Sequence, residues 1–78
     1  MDNNLVIMDY EQLVAKNIER EIKQSGKTKT QVARELGVAP ETVMGYTTGK
    51  SFPGVKNIRR LCMILDCTYE EILGKLEN

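Results

Sequence analysis

The chain has no histidine and no tryptophan, and only one phenylalanine, three tyrosines, two prolines and two cysteines among 78 residues. Without histidine it lacks the side chain that titrates near neutrality, the commonest general base and a frequent metal ligand. No nucleophile–base constellation remains, and the G-K pairs Gly26-Lys27 and Gly49-Lys50 read as turns because the rest of a P-loop is missing. Cys62 and Cys67 are separated by four residues with no second pair, short of the four ligands, or three plus water, of a zinc site. Cys62 is expected to behave as a small buried apolar residue and Cys67 to lie near a helix end, both as reduced thiols. Neither an enzyme nor a metal or cofactor site is expected.

Long hydrophobic runs are also absent. Nothing approaches the roughly 18 apolar residues of a membrane span. The opening MDNNLVIMDY is acidic and polar with four apolar residues in a row, unlike a signal peptide. The expectation is a cytoplasmic protein without a membrane partner. A chain of this length holds one domain with a modest core, which dimerisation would supplement.

The net charge is zero, but the charges are segregated. Residues 1–25 carry three basic and five acidic groups, and residues 61–78 carry one basic and four acidic. Between them, residues 26–60 carry seven basic groups (Lys27, Lys29, Arg34, Lys50, Lys56, Arg59, Arg60) against Glu35 and Glu41, a net of +5. A basic centre between acidic ends is an electrostatic footprint for a polyanion.

Apolar periodicity predicts five short helices. Leu5-Val6-Ile7-Met8 has no helical signal and reads as a short strand, an arm packed on its own subunit, or a contact to a second one. Asp9 and Gln12 form a capping pair for a first helix from Tyr10 to about Gln24, with Leu13 or Val14, Ile18 and Ile22 buried. Thr28 and Gln31 repeat the pattern ahead of a helix over Lys29–Leu36, with Val32, Ala33 and Leu36 on its apolar face. Gly37 stands where a helix end favours a left-handed residue, and Pro40 suits the first turn of the next helix. That third helix runs to about Thr48, with Val43 and Tyr46 inward, and Gly49 ends it. After the turn-rich Lys50–Gly54, a fourth helix to about Leu65 buries Val55, Ile58, Leu61, Cys62 and Leu65. Thr68 and Glu71 form a third capping box for a fifth helix, Tyr69 to about Leu76, with Ile72, Leu73 and Leu76 apolar. The fold expected is all-α: residues 1–8 form an arm and residues 9–78 a single compact bundle. Its centre, residues 28–50, follows the helix-turn-helix plan.

Several residues of that centre and its flank resemble the lambda-repressor-like, Cro-type (XRE) helix-turn-helix DNA-binding domains. They are Ala33, Leu36-Gly37-Val38, Thr42-Val43, Tyr46, Gly49-Lys50, Pro53, Asn57-Ile58, Leu61-Cys62 and Leu65. The resemblance spans about Val14 to Leu73. It implies double-stranded DNA as partner, with the helix 40–48 in the major groove. It implies base-facing positions at Pro40, Glu41, Thr42, Met44 and Gly45, with Thr48 near the backbone. Thr28 and Lys29 at the start of helix 2, and Lys50, Ser51 and Lys56 after helix 3, complete the implied contacts. Pro40 and Gly45 offer no side-chain hydrogen bond. Glu41 reads either as an acceptor from cytosine or as a carboxylate stabilising a helix start, and Thr42 as a thymine-methyl contact or a backbone-bonding residue.

The function that follows is a sequence-specific transcriptional regulator, a repressor that binds its operator as a homodimer on half-sites roughly 34 Å apart. Ile72, Leu73, Leu76 and Leu5–Met8 would supply the dimer surface. An antitoxin-type regulator that also binds a toxin, and an interaction module that has lost DNA binding, are the competing readings.

Overall fold

A computed structural model describes residues 10–75, which fold as α1 (Tyr10–Ser25), α2 (Lys29–Leu36), α3 (Pro40–Thr48), α4 (Val55–Leu65) and α5 (Tyr69–Leu73), with no strand among them. The expected arm 1–8, the Asp9 cap and the Leu76 contact lie outside the described residues.

Helix α1 is the hub. Val14, Ile18 and Ile22 recur every fourth residue and so share one face. They form one buried cluster with Val32, Ala33 and Leu36 of α2, Val43 and Tyr46 of α3, Ile58, Leu61 and Leu65 of α4, and Ile72 of α5. α3, α4 and α5 all pack on α1, while α2 packs on α3 and α4. Leu13 is 39% exposed, so the stripe begins at Val14. Val55, expected on the apolar side of α4, is 84% exposed; it is the first residue of its helix, with little packed over it.

α5 is shorter than expected. It stops at Leu73, because Gly74 at φ 91° leaves the helical region. A helix of five residues leaves its last carbonyls without internal partners, and all of them are met from outside. Gly74 N–H donates to Glu70 O at 2.8 Å. From α1, Arg20 Nη2 donates to Glu71 O at 2.8 Å, Asn17 Nδ2 to Ile72 O at 2.9 Å, and the Tyr10 hydroxyl to Leu73 O at 2.8 Å. Ile72 is fully buried, so it belongs to the core and not to a dimer surface.

The Thr68–Glu71 capping box has both arms. The Thr28–Gln31 pair keeps one arm. Thr28 Oγ1 accepts from Gln31 N–H at 3.0 Å, but the Gln31 amide donates instead to Glu35 Oε2 at 3.1 Å, a charged acceptor one turn along the helix. Gln12 reaches the far end of α3, where its amide donates to Thr48 O at 3.4 Å.

Candidate nucleic-acid interface

The turn between α2 and α3 fixes how α3 is presented. Gly37 has φ 83°, a left-handed conformation that costs an L side chain about 1–2 kcal/mol. Its N–H donates to Ala33 O at 2.8 Å and Arg34 O at 3.3 Å, and Val38 N–H donates to Ala33 O at 3.0 Å, which closes the C-terminus of α2. Val38 packs on the core, Ala39 is extended, and Pro40 opens α3. Inward, Val43 and Tyr46 are buried, and the Tyr46 hydroxyl accepts from Asn57 Nδ2 at 3.1 Å, which ties α3 to α4.

Outward, Pro40, Glu41, Met44 and Thr48 are exposed, with Met44 52% so, and Thr42 is half-buried. Glu41 has no hydrogen bond or ion pair among the described residues. Gly45, expected on the same face, is buried beneath the loop after α3. A Cβ built on it would fall 2.5 Å from Ser51 Oγ. Its carbonyl accepts from Gly49 N–H at 3.0 Å, Ser51 N–H at 3.2 Å and Thr48 Oγ1 at 3.3 Å. Gly45 and Ser51 are thus brought together, the glycine as a seat for the loop.

Lys50 and Ser51 are exposed in that loop, and Lys56 is exposed in the first turn of α4. Neither α3, with Ala39 at its N-cap, nor α4, with Gly54, has a side-chain cap, in contrast to α2, which Thr28 caps. The first turns of α3 and α4 therefore keep backbone N–H groups without a capping side chain.

The basic residues divide into two groups. Lys27 Nζ pairs with Glu35 Oε1 at 2.7 Å, and Lys29 Nζ pairs with Glu19 Oε1 at 3.1 Å. The hydrogen bond from Lys27, then that from Gln31, hold the Glu35 carboxyl below its ordinary range. Arg34, Lys50, Lys56, Arg59 and Arg60 have no acidic partner within 4.0 Å among the described residues. The Arg60 guanidinium lies beside the turn, 4.0 Å from where a Cβ on Gly37 would stand. Arg34, Arg59 and Arg60 belong to the basic segment of the sequence but not to the positions that the family resemblance implies. The reach of Gln12 to Thr48 carries no local signal in the sequence.

A helix, a three-residue turn and a second helix held out to solvent define the helix-turn-helix class of DNA-binding proteins. The profile of the family described as Helix-turn-helix matches residues 18–72, most of the chain, and the protein belongs to that family, in its XRE type. Its members are DNA-binding transcription regulators. Among solved structures, the chain is similar to a transcriptional regulator from Listeria innocua, with 28% identity and a TM-score of 0.75 over 83% of this chain and 61% of that one. It therefore spans less than two thirds of that regulator. It is similar in fold to the SOS-response transcriptional repressor LexA from Eubacterium rectale, with 21% identity and a TM-score of 0.76 over 94% of this chain and 81% of that one. No curated protein matches the chain. No helix among the described residues is long and apolar enough to cross a membrane.

Proposed function

We propose that this protein is a transcriptional repressor that occupies an operator as a homodimer, with α3 in the major groove. It acts in the cytoplasm by binding and not by catalysis, through a single domain over residues 9–78. The observation that carries the reading is the exposed outer face of α3, followed by Lys50 and Lys56, which lack acidic partners among the described residues. On this reading Met44 and the Thr42 methyl meet thymine methyl groups, and Glu41 accepts from a cytosine amino group. Thr28, Thr48, Lys50, Ser51 and Lys56 contact the backbone, with uncapped N–H groups at the start of α4 as further phosphate donors. Lys29 joins them by exchanging Glu19 for a phosphate. Gly45 contributes through the loop that it seats.

Half-site pairing needs a dimer surface. Tyr10, Leu13 and Phe52 are 50%, 39% and 43% exposed, and the Tyr10 hydroxyl reaches Leu73 O at the end of α5. The Tyr10 and Phe52 rings lie 6.1 Å apart, centre to centre. These residues, with Leu5–Met8 of the arm, form the dimer contact in this reading. Deleting residues 1–8 should shift the monomer–dimer equilibrium toward monomer, and an unchanged equilibrium would remove the arm.

The test of the DNA face is the salt dependence of affinity. Lys50→Ala and Lys56→Ala should each lower the slope of log K against log salt by about one unit and weaken all sequences alike. Lys29→Ala should lower it by less, because its ammonium already has a carboxylate partner. Unchanged slopes for Lys50 and Lys56 would overturn the assignment. Glu41→Ala should change which sequence is preferred; a change in thermal stability alone would assign Glu41 to the helix dipole.

A second reading, an antitoxin-type regulator whose other face binds a toxin, is favoured by Met63 and Tyr69, which are 71% and 51% exposed. A protein partner copurifying through α4 and α5 would distinguish it.

A further inference from the structure

Glu19 stands between two cations on different helices. Its Oε1 lies 3.1 Å from Nζ of Lys29, the first residue of α2, and its Oε2 lies 3.7 Å from Nζ of Lys23, one turn along α1. The other ion pair made by α2 is tighter. Lys27 Nζ reaches Glu35 Oε1 at 2.7 Å, and the Gln31 amide donates to Glu35 Oε2 at 3.1 Å. Glu35 is thus held at both oxygens, while Glu19 divides one carboxylate between two lysines at longer range. Lys29 gains nothing from its own helix, because a helix start carries partial positive charge that opposes a cation and favours an anion. The anion supplied there is a carboxylate from α1.

A cleft of about 370 Å3 lies beside this carboxylate, lined by Lys16, Glu19, Arg20, Lys23 and Gln24 of α1 and by Thr47 of α3. Three of these residues are cations, and Lys16 has no acidic partner within 4.0 Å among the described residues. The Glu19 side chain is 30% exposed, so it can turn away from Lys29 into the cleft. It keeps a partner when it does. Glu19 precedes Lys23 by four residues, the favourable order for an ion pair along one helix.

We propose that Glu19 is a built-in competitor for DNA phosphate, which occupies Lys29 in the free protein and passes to Lys23 when a phosphate takes its place. This role rests on the DNA-binding reading and adds to it a carboxylate that holds affinity down. Contact between Lys29 and the backbone then costs an ion pair, and a carboxylate left beside a phosphate repels it. Backbone contacts carry no sequence information, so every duplex is weakened by the same factor, and the order of preferred sequences stays as α3 sets it. Exposed ion pairs are worth little, which makes that factor about two- to fivefold.

The test is a double-mutant cycle on the full-length chain, with a pool of random-sequence duplex DNA titrated across a series of salt concentrations. Glu19→Gln keeps the shape of the side chain and removes its charge. It should tighten binding about two- to fivefold at low salt and steepen the slope of log K against log salt by up to about one unit. Lys29→Ala placed on top of Glu19→Gln should cancel both gains, and the sequences selected by Glu19→Gln should match those of the wild type. A purely structural role for Glu19 would move Tm and not this coupling. Circular dichroism establishes that each variant is folded, and Glu19→Ala, with the same expected gain, replaces the glutamine variant if that one is not. The proposal is overturned if the folded variant binds no tighter than the wild type, or if its gain survives Lys29→Ala. If neither wild type nor Glu19→Gln retains duplex at low salt, the DNA-binding reading falls and the proposal with it; retention by Glu19→Gln alone supports the proposal.

Discussion

Two glycines at the end of α3 separate what the backbone requires from what the surface tolerates. Gly49 has φ 85°, and a Cβ there would fall within 2.7 Å of Gln12 Cδ. Gly45 is helical, and the atom a Cβ would crowd is the hydroxyl of Ser51, which can turn aside. Gly49→Ala should therefore destabilise the fold by about 1–2 kcal/mol through its left-handed backbone. Gly45→Ala should be near neutral, because the helix gains about 1 kcal/mol from the replacement and the loop loses its fit. Urea unfolding of the two variants decides this, and a larger loss at Gly45 would mean that the loop seat is rigid. The residue scale is also where sequence patterns mislead. Gly45 shares the register of the exposed positions, yet it is covered because a loop from later in the chain folds back over it. Gln12, besides fitting a capping pattern, serves a carbonyl 36 residues away, for which no local pattern exists.

At the scale of elements, nearly everything local was legible. The bounds of α2, α3 and α4 match the expected ones, because caps, Gly37, Pro40 and Gly54 are signals carried within a few residues. α5 was extended too far for the opposite reason. Leu73 and Leu76 continue its apolar pattern, but Gly74 breaks the helix, and its stability comes from Tyr10, Asn17 and Arg20 on α1. The site was legible as positions and less so as contacts, since the pairing of Lys29 with Glu19 is tertiary. α3 itself offers an element-level prediction. Ala39 at its N-cap is extended, with φ −70° and ψ 150°, and supplies no capping oxygen. Ala39→Ser should stabilise the fold by about 1 kcal/mol by accepting from a first-turn N–H. No gain in the urea midpoint would show that those N–H groups are already well met.

Across the whole molecule, a neutral chain presents a segregated surface. α1 gathers the other helices and holds Glu19 and Glu21 within reach of Lys29 and Arg20, while Arg34, Lys50, Lys56, Arg59 and Arg60 remain without acidic partners among the described residues. These cations let a chain of zero net charge attract a polyanion, since local potential and not the sum governs such association. Operator recognition by α3 is measured most directly by a selection of bound sequences from random duplex DNA at a stated salt concentration. A dimeric repressor should enrich palindromic sites whose half-sites lie about one helical turn apart, with the enrichment altered by Glu41→Ala. Retention of no DNA even at low salt, by a chain that is folded, would contradict it.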